Sequence, residues 1–254
     1  MDHNGYIAVF DSGVGGLSVL RHLRKILPRE HYIYYGDCAN APYGARTTEE
    51  VRQLTLAAAE QLFDRYPVKA LVVACNTATA AAIRDLRAKY PQRIIIGIEP
   101  ALKLAADHFP GGRIGVMATE VTLREEKFDH LLHRFEAGCT VAKIPAPGLV
   151  ELIEQGMADT PAADALVGQI LAPYAGNLDA LVLGCTHYPF AAQAIGRVLG
   201  QQVKLLDGSE GTAKETKRRL EAAGLLRSEG CGDCALTASG DTQRFLQVAQ
   251  NLLR

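Results

Sequence analysis

The stretch Leu71-Val-Val-Ala-Cys75-Asn-Thr-Ala-Thr79 decides the fold. A brief apolar run stops at a thiol, and Asn and Thr follow at once. A short apolar run bounded by polar residues reads as a buried strand, here Ala70–Ala74. The Ala-rich sequence that follows, to about Tyr90, reads as a helix. The thiol therefore stands at the carboxyl end of a strand, just before a helix. Ligands bind at that end of the strands in open α/β sheets. Cysteine is also a common small buried residue. That explains the strand, but not the polar residues after it.

On either side of this stretch the same order recurs. Strand-like runs are Ile7–Phe10, Tyr32–Tyr35, Ile94–Ile98, Ile114–Met117, Val141–Ile144, Leu181–Leu183, Val203–Leu206 and a weak one at Ala235–Thr237. Helical patterns lie between them. Leu17, Leu20, Leu23 and Leu27 recur at helical spacing, and Pro28 stops them. Thr47-Thr-Glu-Glu50 reads as a capping box for a helix to about Tyr66, and Thr122-Leu-Arg-Glu125 as another for a helix to about Phe135. A further helix starts near Pro100. Thr160-Pro161 places a cap before a first-turn proline, for a helix to about Tyr174. Shorter helices are expected over Val150–Gln155, from about Phe190, over Thr212–Ala223 and from Thr242. Repeated β-α order predicts an α/β fold of mainly parallel sheets flanked by helices.

The chain also repeats itself. Ala70-Leu-Val-Val-Ala-Cys75-Asn-Thr77 matches Ala180-Leu-Val-Leu-Gly-Cys185-Thr-His187 at an offset of 110 residues. Ile7-Ala-Val-Phe10 matches Ile114-Gly-Val-Met117 at an offset of 107. Two similar offsets in one order point to two related α/β halves, each with a cysteine at the end of an inner strand. A helix N-terminus beside each thiol would lower its pKa and offer N–H groups to an anion.

Composition narrows the classes of function. The chain has 254 residues and a net charge of -1. It has no basic footprint for nucleic acid or anionic membrane, and no apolar run long enough to span a bilayer. MDHNGYIAVFD has no basic n-region, so no signal peptide is expected. Six scattered cysteines then read as free thiols in a reducing cytoplasm.

Other motifs were weighed beside the cysteines. Asp11-Ser12-Gly13-Val14-Gly15-Gly16 faintly resembles a dinucleotide loop, with Asp37 near the place of a ribose acid. Ser18 stands where the third glycine would be, and Asp11 would face the pyrophosphate. A glycine-rich turn forming a small anion site, with Ser12 and backbone N–H groups as donors, is the better functional reading. Pro42-Tyr43-Gly44 follows the second strand and can reach the same cleft. His187, two residues after Cys185, can assist proton transfer. Cys231-Gly-Asp-Cys234 has no second pair at zinc-site spacing. His130 and His133 lack an acidic or cysteine partner and read as a solvated face. No lysine has a Schiff-base setting, so pyridoxal phosphate is not expected, and no metal site is expected.

Together, Asp11-Ser-Gly-Val-Gly-Gly16, Gly36-Asp37, Pro42-Tyr-Gly44, Ala74-Cys-Asn-Thr77, Ile98-Glu-Pro100, Gly184-Cys-Thr-His-Tyr-Pro189 and Ser239-Gly-Asp241 resemble the glutamate racemases of the cofactor-independent aspartate/glutamate racemase superfamily. The resemblance spans about residues 7 to 254. It implies two pseudo-symmetric domains with the active site in the cleft between them. Residues 1–98 plus 208–254 would form the first, and 99–207 the second. It implies interconversion of L- and D-glutamate for bacterial peptidoglycan, with no cofactor. Cys75 and Cys185 match the catalytic pair, with Cys75 serving D-glutamate and Cys185 L-glutamate. Asp11, His187 and Glu154 would assist them. Asp11, Ser12, Pro42, Tyr43, Gly44, Asn76, Thr77, Thr119, Thr186 and His187 match substrate contacts.

Ala146-Pro147, Thr79 and Cys38 depart from the family's usual residues, away from the catalytic pair. His187 favours glutamate over the aspartate or broad-specificity relatives, which tend to carry glutamate there. No extension precedes the first strand, so activation by a cell-wall precursor is not expected. The assembly stays open, a homodimer included. A nucleotide-binding α/β protein and a thiol-redox protein are the rival classes.

Overall fold

A computed structural model describes residues 3–99, 101–124 and 138–253 of the chain. Among these residues, nine strands form two sheets, and every pairing is parallel. The first sheet runs β4 (Ile94–Gly97), β3 (Val68–Val73), β1 (Tyr6–Asp11), β2 (Tyr32–Gly36), β9 (Cys234–Ala238). The second runs β6 (Thr140–Pro145), β5 (Arg113–Ala118), β7 (Ala180–Leu183), β8 (Lys204–Asp207).

Read from the opposite edge, the second sheet repeats the first, strand for strand, except for β9. The register repeats as well. Ile7 pairs with Ala70 and Phe10 with Val73. Ile114 pairs with Ala180 and Met117 with Leu183. The pairing therefore carries the sequence offsets of 107 and 110 into the backbone. The strands are short and nearly all apolar because both faces are covered by helices. Tyr32 to Gly36 and Val68 to Val73 are buried throughout.

The helices are α1 (Leu17–Ile26), α2 (Thr48–Arg65), α3 (Asn76–Lys89), α4 (Leu102–His108), α5 (Glu120–Arg124), α6 (Leu149–Glu154), α7 (Pro161–Leu171), α8 (Ala192–Leu199), α9 (Ser209–Ala222) and α10 (Thr242–Leu252). Helix α1 buries Leu17, Leu20 and Leu23. The expected capping box opens α2: Glu50 N–H donates to Thr47 Oγ1 at 3.3 Å, and Thr47 N–H to Glu50 Oε2 at 2.8 Å.

The second expected box is corrected. Thr122 lies inside α5, and its N–H donates to Thr119 Oγ1 at 3.3 Å. Thr119 thus holds the helix start three residues earlier than the sequence pattern suggested. The rest of that expected helix, with His130 and His133, lies outside the described residues, as does Pro100. Helix α9 begins at Ser209 rather than Thr212, because Asp207 Oδ1 accepts the Ser209 N–H at 2.7 Å. Helix α7 ends at Leu171 and gives way to a 3-10 turn over Ala172–Tyr174.

One apolar cluster crosses both halves. It joins Val9, Leu20 and Tyr34 to Met117, Leu183 and Tyr188. A second covers the other face of the first sheet and includes Phe10, Tyr43, Val73 and Cys75. The amino end of the first sheet is fastened by a buried ion pair, Lys69 Nζ to Glu30 Oε2 at 2.6 Å. Lys69 also donates to the Leu225 carbonyl at 2.8 Å, and so ties in the segment leading to β9. Among the described residues no helix is long and apolar enough to cross a membrane.

Candidate functional site

Cys75 and Cys185 lie just beyond β3 and β7, inner strands of their sheets. Equivalent strands end at equivalent places, so each half presents one thiol at the carboxyl end of an inner strand. They are close enough for Cys185 to act electrostatically on Cys75. Both are buried, at 5% and 8% exposure. Three cavities open at the surface, and neither cysteine lines any of them.

Cys75 caps α3, and its sulfur accepts the Ala78 N–H at 3.4 Å. It also lies 3.7 Å from Ser12 Oγ. The helix start alone would lower its pKa. The net direction is the opposite. Burial, with Asp11 nearby, pushes the Cys75 thiol up to about 12, against the Ala78 and Ser12 hydrogen bonds. Desolvation outweighs the helix end, so Cys75 carries its proton at neutral pH. Asp11 is fully buried, and burial raises its pKa above the usual carboxylate value.

The other side carries different groups. His187 Nδ1 faces Cys185 Sγ at 3.6 Å, and Nε2 faces Glu154 Oε1 at 2.5 Å. Burial pushes His187 toward neutrality, but Cys185 and Glu154 together raise it well above its ordinary value. His187 is therefore an imidazolium that donates from both nitrogens. Cys185 is followed by Thr186 and His187 and then a 3-10 turn at Tyr188–Ala191, rather than directly by an α-helix.

Each helper is anchored by the opposite half. Thr186 Oγ1 donates to Asp11 Oδ2 at 3.0 Å. Val14 N–H donates to Glu154 Oε1 at 2.8 Å. This corrects the reading of the glycine-rich turn as an open anion site. Gly13 N–H serves Asp11 at 2.9 Å, and the Val14 N–H serves Glu154, so both donors are taken by the protein's own carboxylates. The turn needs glycine for close approach. A Cβ on Gly13 would sit 1.8 Å from Glu154 Oε1, and one on Gly15 would sit 2.4 Å from His187 Nδ1. No room is left there for a pyrophosphate. Asp37 is not a free ribose acid either, since it accepts hydrogen bonds from Tyr43, Asn40 and Ser239.

Three hydroxyls cluster at the start of α3. Thr77 Oγ1 lies 3.3 Å from Thr119 Oγ1 and 3.3 Å from Thr122 Oγ1. Thr122 completes this hydroxyl cluster, though its sequence pattern suggested only a cap. Asn76 begins α3, and its Oδ1 is buried without a hydrogen-bond partner. Pro42 follows a cis peptide bond, and Tyr43 and Gly44 form a 3-10 turn against Thr119. Pro42 lies furthest from the cysteines in role, lining an outer cavity of about 310 Å³ behind Glu154. Ser18 went unrecognised as a contributor. Its hydroxyl lies 2.8 Å from the Gly15 carbonyl and 3.0 Å from that of Thr186, a second bridge between the halves. Only its place beside the glycine run hinted at it. Among the described residues, no cluster of three or more potential ligands suits a metal ion.

Against known proteins, a family model described as Asp/Glu/hydantoin racemase matches residues 7–216. The glutamate racemase of Clostridium kluyveri is 50% identical over 251 residues, covering 98% of this chain and 97% of that protein. The Thermus thermophilus glutamate racemase, solved with β-chloro-D-alanine, has a TM-score of 0.85 at 40% identity, covering 99% of this chain and 94% of that one. The Escherichia coli glutamate racemase, solved with L-glutamate and the activator UDP-MurNAc-Ala, has a TM-score of 0.86 at 31% identity, covering 97% of this chain and 95% of that one.

Proposed function

This chain belongs to the Asp/Glu/hydantoin racemase family, and from that premise we propose that it interconverts L- and D-glutamate by a two-base mechanism without a cofactor. The observation that carries the reading is the pair of buried, electrostatically coupled cysteines at equivalent strand ends, with different helpers behind them.

Racemisation takes the α-proton from one face and returns a proton to the other. A base on each face does this without turning the substrate over. With L-glutamate bound, Cys185 takes the α-proton as a thiolate, and the C–H electron pair passes into the α-carboxylate. The Cys75 thiol then gives its proton to the opposite face. Cys185 ends as thiol and Cys75 as thiolate. D-glutamate runs the same path in reverse. His187 and Glu154 exchange protons with Cys185, and Asp11 does so with Cys75, which resets the pair.

The carbanion needs stabilisation that water would dilute. Ser12, Asn76 and Thr77 supply neutral donors at buried positions, Thr119 extends the row, and the Thr186 hydroxyl is held by Asp11. The unpartnered Asn76 Oδ1 suits a hydrogen-bond donor of the ligand, such as an ammonium group. Substrate enters when the halves part, and their closure excludes water. In this reading residues 1–98 with 208–254 form one domain and 99–207 the other. The product D-glutamate would serve peptidoglycan synthesis. The six free cysteines suit a reducing cytoplasm.

Heavy water tests the mechanism. Two bases put deuterium into the product enantiomer and little into recovered substrate at early times. Equal labelling of both would overturn it. Circular dichroism of L-glutamate with purified protein and no added cofactor tests the activity itself, with L-aspartate as the comparison.

A further inference from the structure

The segment after the second sheet returns to the first, and its last strand ends beside the candidate site. There Ser239 meets Asp37. Ser239 Oγ donates to Asp37 Oδ1 at 2.6 Å and accepts the Ala39 N–H at 2.9 Å. Its own N–H donates to the Gly36 carbonyl at 3.0 Å. Gly240 follows with a φ of 73°, which turns the chain away directly over Ala39.

Asp37 is buried and held from several directions. Its Oδ2 accepts the Tyr43 O–H at 2.7 Å, and Asn40 Nδ2 donates to both oxygens at 3.1 Å. Its N–H donates to the Asp11 carbonyl at 2.9 Å, at the tip of β1. Tyr43 lies in the same apolar cluster as Cys75 and packs against Phe10 at 6.3 Å between ring centres. Gly44 then meets the other half, and a Cβ there would lie 2.8 Å from Thr119 Cγ2. One chain of contacts therefore runs from Ser239 through Asp37 and Tyr43 to the turn that faces Thr119.

We infer that Ser239 is a positioning residue for substrate binding: through Asp37 it sets the Tyr43–Gly44 turn at the correct height against Thr119. A carboxylate with two free oxygens could accept the Tyr43 O–H from many angles. Ser239 and Asn40 remove that freedom by occupying the remaining lone pairs. The first sheet thus completes its substrate wall only when the end of the chain docks. The inference rests on the proposed glutamate racemase activity.

The test is steady-state kinetics with L- and D-glutamate. Ser239→Ala is expected to raise KM about tenfold in both directions, as losing one hydrogen bond to a charged group would. Its kcat should change less than about threefold, because neither cysteine has moved. Ser239→Thr keeps the hydroxyl and should restore most of the KM. Tyr43→Phe should raise KM comparably, and adding Ser239→Ala to it should cost little more, since both act through Asp37. An Ala variant with a lower melting temperature but unchanged KM would show a purely structural role and overturn the inference. So would additive effects of the two substitutions. A wild-type protein that racemises no glutamate would instead overturn the proposed function, and this inference with it.

Discussion

The Cys75 side and the Cys185 side share a backbone but not a charge pattern. Strand order and register repeat between the halves. Cys75 has a neutral hydroxyl and a buried carboxylate whose pKa is raised. Cys185 has an imidazolium backed by a second carboxylate. The resting protonation differs accordingly, since Cys75 is held as a thiol while a cationic donor faces Cys185. In the proposed mechanism, Cys185 is the acceptor and Cys75 the donor when L-glutamate is bound. In that mechanism the repeated backbone supplies a base for each face, and the unlike surroundings distinguish the two. Thr186 holds Asp11 and Val14 holds Glu154, so each carboxylate is anchored by a residue distant in sequence.

The strongest way to break the comparison is to remove a base. Cys75→Ala and Cys185→Ala should each lower racemisation by at least about a thousandfold with the fold intact, as followed by circular dichroism of substrate and protein. Full activity in either would remove that cysteine from the mechanism.

His187→Asn should cost about a hundredfold. The two enantiomers have equal free energy, so kcat/KM must fall equally in both directions. The asymmetry should emerge in the isotope effect, which should grow for α-deuterated L-glutamate more than for the D form. Equal growth would place His187 symmetrically between the thiols.

Glu154→Gln is expected to cost about tenfold and to shift the pH profile. Glu154 helps raise His187, so its loss lowers the His187 pKa. The imidazolium is lost as pH rises through that value, and the alkaline limb should move toward neutral pH. A limb that stayed in place would separate Glu154 from His187.

Asp11→Asn tests the other carboxylate, through stability. Burial raises the Asp11 pKa above its unfolded value. Such a group favours the fold below the unfolded pKa and loses that contribution as pH rises through the folded one. At neutral pH the variant should melt a few degrees higher (about 1 kcal/mol or less), and the gain should shrink as pH falls toward 4. A variant that melts lower at neutral pH would show that the bonds from Gly13 and Thr186 outweigh the buried charge.

Much of this site was legible because its chemistry lies at strand ends. Short apolar runs located all nine strands, and two offsets located both cysteines. The parts that were hidden depend on contacts between distant segments. Val14 and Glu154 meet across 140 residues. Their approach explains why Gly13 must be glycine, whereas the sequence suggested a small anion site with free backbone N–H groups. Thr119 was masked by the better-looking box at Thr122, because a local pattern cannot report which hydroxyl the helix start uses. The helix rule for Cys75 was sound but local, and burial reversed its sign.

The last pairing in the first sheet also bears on how the chain comes together during synthesis. Strands β1 to β4 leave the ribosome early, yet β2 gains its outer neighbour only after the whole second half has followed. Until Cys234–Ala238 arrives, Tyr32 to Gly36 offers an open row of backbone groups on an apolar, tyrosine-rich strand. That edge is where the nascent chain is most exposed to pairing with a neighbour. That edge stays open until the last tenth of the chain has been made.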